Sequence, residues 1–479
     1  MEQQKSLKSN AIFSFLKAFL NIATPLITFP YASRLLLPQG IGKVNFANTV
    51  VSYFIILAKL GIDNYAIREA SKIKNDKKLL SKFFKEIFCI NSCSTIIAFI
   101  LFFISIFTID KLNEYRSLLL IISIRLLSLL FEVPWLFSAK EEFKSVTIRT
   151  SIFQIISLIY LFVFVKSPDD IGKYALYGVM TYSLTSISNF IIAIKFIDFK
   201  IHISLEIKKH IPFILTFLGM SFITTFYNML DIGMLGFLSN DTEVGYYSAA
   251  IKINNLVIEL ISAIVVILLP RLSYLKEKNE LQEFNKLSVK GFNIVLFFSI
   301  PFCFGAYVLS NQLIIMLSSE KFLDAVLPMK ILCPLIMFIS ISNLIGTQIF
   351  PALNKEKTSL LVYSIAILVN IAINIVLIPK IGATGAAVST IIAEGLVTLI
   401  LLILSRKLIF TKECFINFFE CLLSGFLMYI VIYFTLPHLH GIILQTSISI
   451  LLGCFTYCSI LFAFKNVYLM QIINKFIRK

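Results

Sequence analysis

Charged side chains inside otherwise apolar stretches are the residues of this sequence best suited to chemistry. Residues 244–269 are apolar for longer than the roughly 20 residues that cross a bilayer, yet they contain Lys252 and Glu259. On a helix with about 100° between residues, both lie on one face with Asn255 and Ser262. A charge at such depth costs on the order of 3 kcal/mol or more unless it faces protein or water, so this polar face predicts a helix that lines a polar path. Hydrogen bonds between helices are the alternative interpretation.

Further charged residues lie within or close to other apolar stretches. The cations could bind an anionic substrate group, and the set is Lys17, Arg34, Lys59, Arg125 and Lys252. The carboxylates could couple transport to an ion, because a buried carboxylate can exchange protons near neutral pH; these are Glu132, Asp231, Glu259 and Glu394. Arg125 and Glu132 are seven residues apart, which predicts an ion pair on one helix face. For Lys17 and Lys59, the alternative is a side chain that extends to the membrane surface.

The elements that position these residues are membrane-spanning helices. The chain has 479 residues, is 58% hydrophobic and has a mean hydropathy of +0.88, whereas soluble domains are about 45–50% apolar. The apolar runs are too long and too uniform for barrel strands, which alternate over about 10 residues. The sequence therefore predicts an all-α polytopic membrane protein with fourteen spans, at 11–31, 42–62, 87–109, 117–137, 147–165, 171–194, 211–235, 244–269, 290–309, 325–349, 359–378, 382–405, 416–436 and 441–464. The first span is expected to be retained rather than cleaved as a signal peptide.

The net charge of +16 has its origin in the loops. Those that share a side with the two termini hold 30 Lys and Arg residues, and the opposite loops hold 7. Because Lys and Arg accumulate in cytoplasmic loops, both termini are predicted to be cytoplasmic. The same distribution explains the basic charge without nucleic acid as a partner.

Several functions are excluded by what the loops lack. The longest loops, 63–86 and 310–324, are too short for a soluble catalytic domain, and no P-loop motif is present. The eight cysteines and four histidines do not have metal-ligand spacing, so neither a metal nor another cofactor is predicted. The protein is therefore predicted not to be an enzyme.

A weak internal repeat divides the spans. GIGKVNFANTV at 40–50 resembles EVGYYSAAIKI at 243–253, and Ile-Gly recurs at 171–172 and 381–382. Both matches fall at starts of spans that are six spans apart, which predicts two parallel six-helix bundles with a central cavity. The predicted domains are 1–200, 201–410 and a C-terminal pair of helices with a basic tail at 411–479.

Three stretches resemble polysaccharide exporters. PYASRLLLPQGIGKVNFANTV at 30–50 resembles their first inter-helix segment, and PKIGATGAAVSTIIAE at 379–394 resembles the Gly-Ala-rich run before span 12. WLFSAKEEFKSVTIRT at 135–150 resembles a third segment through Trp135, Phe137, Glu141 and Arg149. On these segments the chain is identified as similar to the Wzx-type O-antigen and oligosaccharide flippases of the multidrug/oligosaccharidyl-lipid/polysaccharide exporter superfamily.

The resemblance implies a substrate and a location. The expected activity is movement of an undecaprenyl-pyrophosphate-linked oligosaccharide from the cytoplasmic to the periplasmic leaflet of the bacterial inner membrane, by alternating access. Beside the lipid bilayer, the resemblance implies a polysaccharide polymerase and a chain-length regulator as partners. A drug or cation antiporter of the same superfamily, or a lipid II flippase, is the alternative; an antiporter lumen should be dominated by acidic and aromatic residues, whereas this chain has several buried cations.

Cysteine labelling tests the predicted orientation. In a cysteine-free background, single cysteines at Asn240 and Asp324 should react with a membrane-impermeant maleimide in intact cells. Cysteines at Asn75 and Asn279 should react only after permeabilisation. The reverse pattern would overturn the orientation that follows from the loop charges.

Overall fold

The computed structural model describes residues 2–198 and 204–471, with only some side chains described in 2–22 and 216–228. Its helices are α1 (Glu2–Lys59), α2 (Ile62–Ile73), α3 (Lys77–Thr108), α4 (Asp110–Glu114), α5 (Arg116–Ser128), α6 (Pro134–Ala139), α7 (Phe143–Phe164), α8 (Ile171–Ala193), α9 (Ile211–Leu238), α10 (Asp241–Val265), α11 (Leu268–Glu277), α12 (Leu281–Val308), α13 (Ser310–Leu317), α14 (Val326–Leu332), α15 (Leu335–Asn343), α16 (Phe350–Ala352), α17 (Glu356–Ile409), α18 (Lys412–Thr435) and α19 (Ile442–Ala463). Over the described ranges no strand occurs, which confirms the all-α prediction.

The predicted spans coincide with helices. Within the described residues, ten helical segments are long and apolar enough to cross a membrane. Two of these segments, 23–73 and 356–409, each contain a break and hold two predicted spans. The predicted spans at 117–137 and 211–235 coincide with α5–α6 and with α9. All fourteen predicted spans therefore fall on helical segments.

The breaks in α1 and α17 have local causes. Leu37 leaves the helical conformation at φ 60° and ψ 175°, immediately before Pro38, whose ring disfavours helical geometry at the residue that precedes it. In α17 the break falls at Ile381 and Gly382, where Gly382 has φ 50°. Glycine adopts this positive φ without a Cβ clash, which lets the chain reverse direction between two spans.

The chain divides into two compact units, Met1–Phe237 and Leu238–Lys479. In the first unit, α8 packs against α5 and α7, and α1 packs against α3. In the second unit, α10 packs against α14 and α15, and α14 and α15 pack against α17. The predicted transport domains, with boundaries after residues 200 and 410, stay a prediction, because compactness alone does not identify the parts that move.

A repeated contact within each unit agrees with the internal sequence repeat. In the first unit, a Cβ added to Gly40 would lie 3.6 Å from Ile171, so the start of the second span meets the start of the sixth. In the second unit, the Glu243 carboxylate accepts a hydrogen bond of 2.7 Å from the backbone N–H of Ala383, beside Gly382. Gly40 and Glu243 occupy equivalent positions in the repeat, as do Ile171 and Ile381.

An aromatic core fills the end of the first unit where α2 packs against α6. The Trp135 ring lies edge-on to Phe83 at 5.7 Å, and both side chains are buried. This core encloses His210, whose Nε2 lies 2.8 Å from Glu86 and whose Nδ1 lies 2.7 Å from the Tyr65 hydroxyl. The contacts attach the start of α9 to α2 and α3, and both ring nitrogens of the buried His210 have a partner.

The two C-terminal helices are joined to the second unit by a buried polar network. α18 packs along α12, where the Asn417 side chain donates to Asn293 Oδ1 at 3.1 Å. Asn466 donates to Asn417 Oδ1 at 2.9 Å, and the Tyr468 hydroxyl donates to Glu413 at 2.6 Å. Because these groups lie away from water, the network makes the C-terminal helices part of the unit's core.

The contact at Gly382 predicts the effect of a small substitution. A Cβ at this position would lie 2.3 Å from the Glu243 carboxylate, and φ is positive, so Gly382→Ala should cost about 1–3 kcal/mol. The measurement is the thermal melting temperature of the purified protein in detergent. Gly178→Ala is the control, since a Cβ there would meet no atom of another segment within 4 Å; inside α8 it should leave stability unchanged or raise it by up to about 1 kcal/mol. Equal melting of the two variants would contradict this account.

Candidate substrate-binding and ion-coupling sites

Lys59 lies at the centre of a charged cluster in the first unit. Its Nζ donates to Glu132 Oε1 at 2.8 Å and to Asp63 Oδ2 at 3.1 Å. Lys59 is the last residue of α1, and the left-handed turn at Gly61, with φ 76°, places Asp63 one helical turn further on. The three charges therefore come from two consecutive helices and from the break between α5 and α6.

Tyr182 and Arg125 complete the cluster. The Tyr182 hydroxyl donates to Glu132 Oε2, so both carboxylate oxygens of Glu132 are bound. The Arg125 guanidinium lies 5.0 Å from the centre of the Tyr182 ring, in a cation–π contact. Two cations and two carboxylates thus lie together, and their formal charges cancel.

The space beside this cluster is small. A cavity of 10 Å³ is lined by Lys59, Asp63, Asn91, Glu132 and Trp135, among others. That volume holds about one water molecule, since a water needs roughly 10–15 Å³. In the structure described, the cluster is therefore a charge-balanced group, with Lys59 ion-paired to Asp63 and Glu132 and Arg125 packed on Tyr182, rather than an open site for an anion. Removing one partner would leave a partly buried charge, which is costly.

The predicted Arg125–Glu132 ion pair is replaced by Lys59–Glu132. Spacing along a helix placed Arg125 and Glu132 on one face, but Glu132 does not have helical geometry: it has φ −83° and ψ 111° after the short 3₁₀ segment Leu129–Phe131. The predicted continuous span at 117–137 is interrupted there, ahead of Pro134. The seven-residue spacing consequently does not determine where the Glu132 side chain points.

The polar face of α10 is accessible in the second unit. Asn255 and Glu259 are exposed and Lys252 is half-buried, although the helix is apolar enough to cross a membrane. Ser262, the last residue of this face, accepts a hydrogen bond of 3.1 Å from Asn343 on α15. The two interpretations of the face therefore apply to different residues, because Ser262 contributes to helix packing while Lys252, Asn255 and Glu259 remain reachable.

The remaining candidates lie in several environments. Asp231 is buried near Tyr53 in the first unit, and Glu394 is buried near Tyr363 in the second. Arg34 is exposed, three residues before the break at Leu37. The side chain of Lys17 lies outside the described residues.

Sequence reasoning did not identify Tyr182 or the ion partner Asp63. A signal for Tyr182 was present, since residues 181–189 carry several hydroxyl and amide side chains inside an apolar span. Asn189 from that stretch binds Arg149, whose Nη2 lies 2.7 Å from Asn189 Oδ1. The Arg149 guanidinium also lies 5.1 Å from the Phe137 ring centre, which explains the combination of aromatic and basic residues in the 135–150 segment.

Two carboxylates outside the spans hold helix ends in the first unit. Lys173 and the backbone N–H groups of Lys166 and Ser167 hold the pKa of Asp170 well below its usual range. This arrangement closes the turn before α8. Hydrogen bonds from Lys209 and Lys82 lower the pKa of Glu206, next to the start of α9.

Comparison with solved structures defines the class of protein. The fold is similar to that of the lipid II flippase MurJ in an inward closed conformation, with a TM-score of 0.73, 20% identity, and coverage of 97% of this chain and 99% of that one. It is also similar to an inward-facing multidrug resistance MATE family transporter, with a TM-score of 0.60, 13% identity, and coverage of 82% and 94%. The chain is thus a polytopic membrane protein with this helical transporter fold.

Sequence comparison defines the family. The polysaccharide biosynthesis protein family matches residues 7–276, and the MatE family matches 212–376. The chain belongs to the polysaccharide biosynthesis protein family. A candidate O-antigen transporter from Escherichia coli (strain K12) is 27% identical over 84% of this chain and 97% of that protein. A candidate low-salt glycan biosynthesis flippase, Agl15, from Haloferax volcanii is 23% identical over 50% of this chain and 51% of that protein's length. These relatives are transporters and flippases rather than enzymes, as predicted.

A double-mutant cycle tests the Lys59–Glu132 ion pair. Lys59→Met and Glu132→Gln should each lower the melting temperature, and the double variant should recover part of the loss because Glu132 is then no longer left as an unpaired charge; Asp63 still loses its Lys59 partner, so the recovery is incomplete. We expect a coupling energy of about 1–3 kcal/mol.

The exposed pair Lys72–Glu69 is the matched control, with a coupling below about 1 kcal/mol. Arg125→Met combined with Glu132→Gln should recover less than the Lys59 combination. If the Arg125 double variant instead recovered more of the melting temperature, Arg125 would be the partner of Glu132, as the spacing predicted.

Proposed function

We propose that this protein moves an undecaprenyl-pyrophosphate-linked oligosaccharide from the cytoplasmic to the periplasmic leaflet of the bacterial inner membrane. The observation that carries the proposal is the similarity to a candidate O-antigen transporter over 97% of that protein's length. Movement by alternating access between two six-helix bundles would expose the glycan to one side of the membrane at a time.

The chemistry of such a substrate sets what the protein must supply. The prenyl tail can stay in lipid, whereas the pyrophosphate needs a wet passage with a positive charge. Lys252 lies 11 residues after the start of α10, or roughly 16 Å along the helix at 1.5 Å per residue. That is about half the 30 Å thickness of the hydrocarbon core. Lys252 is therefore the best candidate for a countercharge at mid-depth, with Asn255 beside it and Glu259 as a carboxylate for ion coupling.

The other cations and carboxylates have secondary roles in this proposal. Arg34 is exposed near a helix break and could contact the glycan or pyrophosphate at one mouth. Lys59, Arg125 and Glu132 form a charge-balanced cluster together with Asp63, so they would contact substrate or exchange a proton only after the Lys59 ion pairs separate. Asp231 and Glu394 remain candidates for ion coupling, and Lys17 for substrate binding.

Orientation and partners complete the proposal. Both termini would be cytoplasmic, as the loop charges indicate. Released substrate would then meet a polymerase and a chain-length regulator on the periplasmic side.

Reconstitution tests the transport function. Purified protein in liposomes should make an inner-leaflet, fluorescent polyprenyl-pyrophosphate-linked oligosaccharide reachable by a membrane-impermeant glycosidase, so that nearly the whole pool is cut instead of the outer half. Lipid II and tetraphenylphosphonium are the comparison substrates. Transport of lipid II alone would favour a lipid II flippase, and efflux of tetraphenylphosphonium alone would favour an antiporter. If the inner-leaflet oligosaccharide and lipid II stay protected and tetraphenylphosphonium is not exported, transport itself would be refuted.

Lys252 provides the sharpest mutational test of this function. Lys252→Ala should fold and insert normally but lose most transport, whereas Lys252→Arg should retain part of it because the positive charge is kept. Lys286→Ala is the control, since Lys286 is exposed and paired with Glu283 in a loop-proximal turn. Wild-type transport by Lys252→Ala at equal expression would refute the role. Misfolding of both Lys252 variants would instead assign the residue to helix packing.

A further inference from the structure

A polar cavity in the second unit lies beside the α17 break and is lined by none of the candidate substrate-binding or ion-coupling residues. Its volume is 420 Å³, and it is bounded by the first turns of α10, the 3₁₀ segment Glu320–Ala325, α14 and the break in α17. Ligand pockets typically measure about 300–1,000 Å³, so this one can hold a small ligand. Its polar wall consists of Glu243, Tyr246, Asp324, Lys330 and Thr384.

The wall is held in place by contacts within the unit. Glu243 is oriented by the N–H of Ala383 at 2.7 Å. The Tyr246 hydroxyl is hydrogen-bonded to the Asp324 carboxylate, and the Tyr246 ring packs edge-on against Phe322 with centroids 6.3 Å apart. Polar groups arranged in this way are available without rearrangement, which lowers the cost of binding.

The chemistry of the wall selects among ligands. The two carboxylates, Glu243 and Asp324, would repel a phosphate, and the positive charge of Lys330 would repel an organic cation. The Lys330 Nζ lies 5.6 Å from the Tyr307 ring centre. Each carboxylate has lone pairs left to accept hydrogen bonds, and the Thr384 hydroxyl can both donate and accept. A neutral donor such as a sugar hydroxyl makes stronger hydrogen bonds to a charged acceptor than to a neutral one. A neutral ligand with several hydroxyl groups satisfies all of these side chains.

We propose that this cavity binds the glycan part of the lipid-linked substrate. The inference rests on the proposed transport function and adds a second subsite to it, separate from the countercharge at Lys252. The cavity lies among the segments at 240–246, 320–330 and 381–384, at the ends of helices that the loop charges place on the periplasmic side. In this proposal it holds the sugar after the pyrophosphate has crossed, which favours the periplasm-facing loaded state.

Direct binding tests this site independently of transport. In a cysteine-free background, Leu327→Cys at the cavity wall carries an environment-sensitive fluorophore, since Leu327 is 56% exposed. The probe is the free oligosaccharide released by mild acid from the polyprenyl-linked pool of the producing cells. We expect saturable binding that weakens about tenfold in Asp324→Asn, which replaces a charged acceptor by a neutral one, and in Thr384→Val, which removes the hydroxyl that bonds the ligand. Glu320→Gln, in the same 3₁₀ segment but outside the cavity wall, should bind like the parent.

The outcomes separate this inference from the proposed function. Parent-like binding by both cavity variants would overturn the glycan site, even if transport in liposomes is normal. A response to tetraphenylphosphonium but not to the oligosaccharide would replace it with a cation site. Conversely, binding that depends on Asp324 and Thr384 in a protein that moves no lipid-linked oligosaccharide would support the glycan site and refute the transport function. Lys330→Met adds a check, since it should raise tetraphenylphosphonium binding if Lys330 is what rejects cations.

Discussion

The cost of leaving polar groups unsatisfied in a bilayer is the constraint on which the rest of this structure depends. A helix satisfies its own backbone, so the chain can cross the hydrocarbon region only as helices. Every place where a helix breaks then needs a partner from elsewhere. At Gly382 the exposed N–H of Ala383 is bound by Glu243, and before Pro134 the displaced Glu132 is bound by Lys59 and Tyr182.

The intramembrane charges are of two kinds, and the difference bears on function. Lys59, Asp63, Arg125 and Glu132 lie around Tyr182 with no net charge and with space for about one water. Lys252 and Glu259 lie on an accessible face of α10 without that enclosure. Balanced ion pairs stabilise one arrangement of helices, whereas an accessible cation can interact with a ligand. The second unit therefore contains the better candidates for substrate contact in the structure described.

A shared fold leaves the chemistry of the walls open. The chain has the fold of a lipid II flippase and of a multidrug transporter at 20% and 13% identity, so the fold is compatible with more than one substrate. What separates these functions is which side chains line the polar surfaces. The mixed wall of Glu243, Tyr246, Asp324, Lys330 and Thr384 suits hydroxyl groups better than it suits an anion or a cation. That preference agrees with membership of the polysaccharide biosynthesis family.

The sequence alone determined the helical class, the positions of the spans and the internal repeat. Span length and uniform apolarity are local properties of the chain, and the Gly382 break could be placed because glycine marks it locally. The repeat was visible because the starts of equivalent spans use similar residues, as in the segments 40–50 and 243–253, where Gly42 matches Gly245. The α10 polar face was also readable, because helical spacing applies wherever the helix is continuous.

Only the tertiary structure decided which charges are partners. Glu132 leaves the helical register, so its pairing with Lys59, 73 residues away, could not follow from spacing. Tyr182 and the cavity at Asp324 likewise bring together side chains from separate helices. Such contacts depend on how helices pack and where they break, and neither is a local property of the residues concerned.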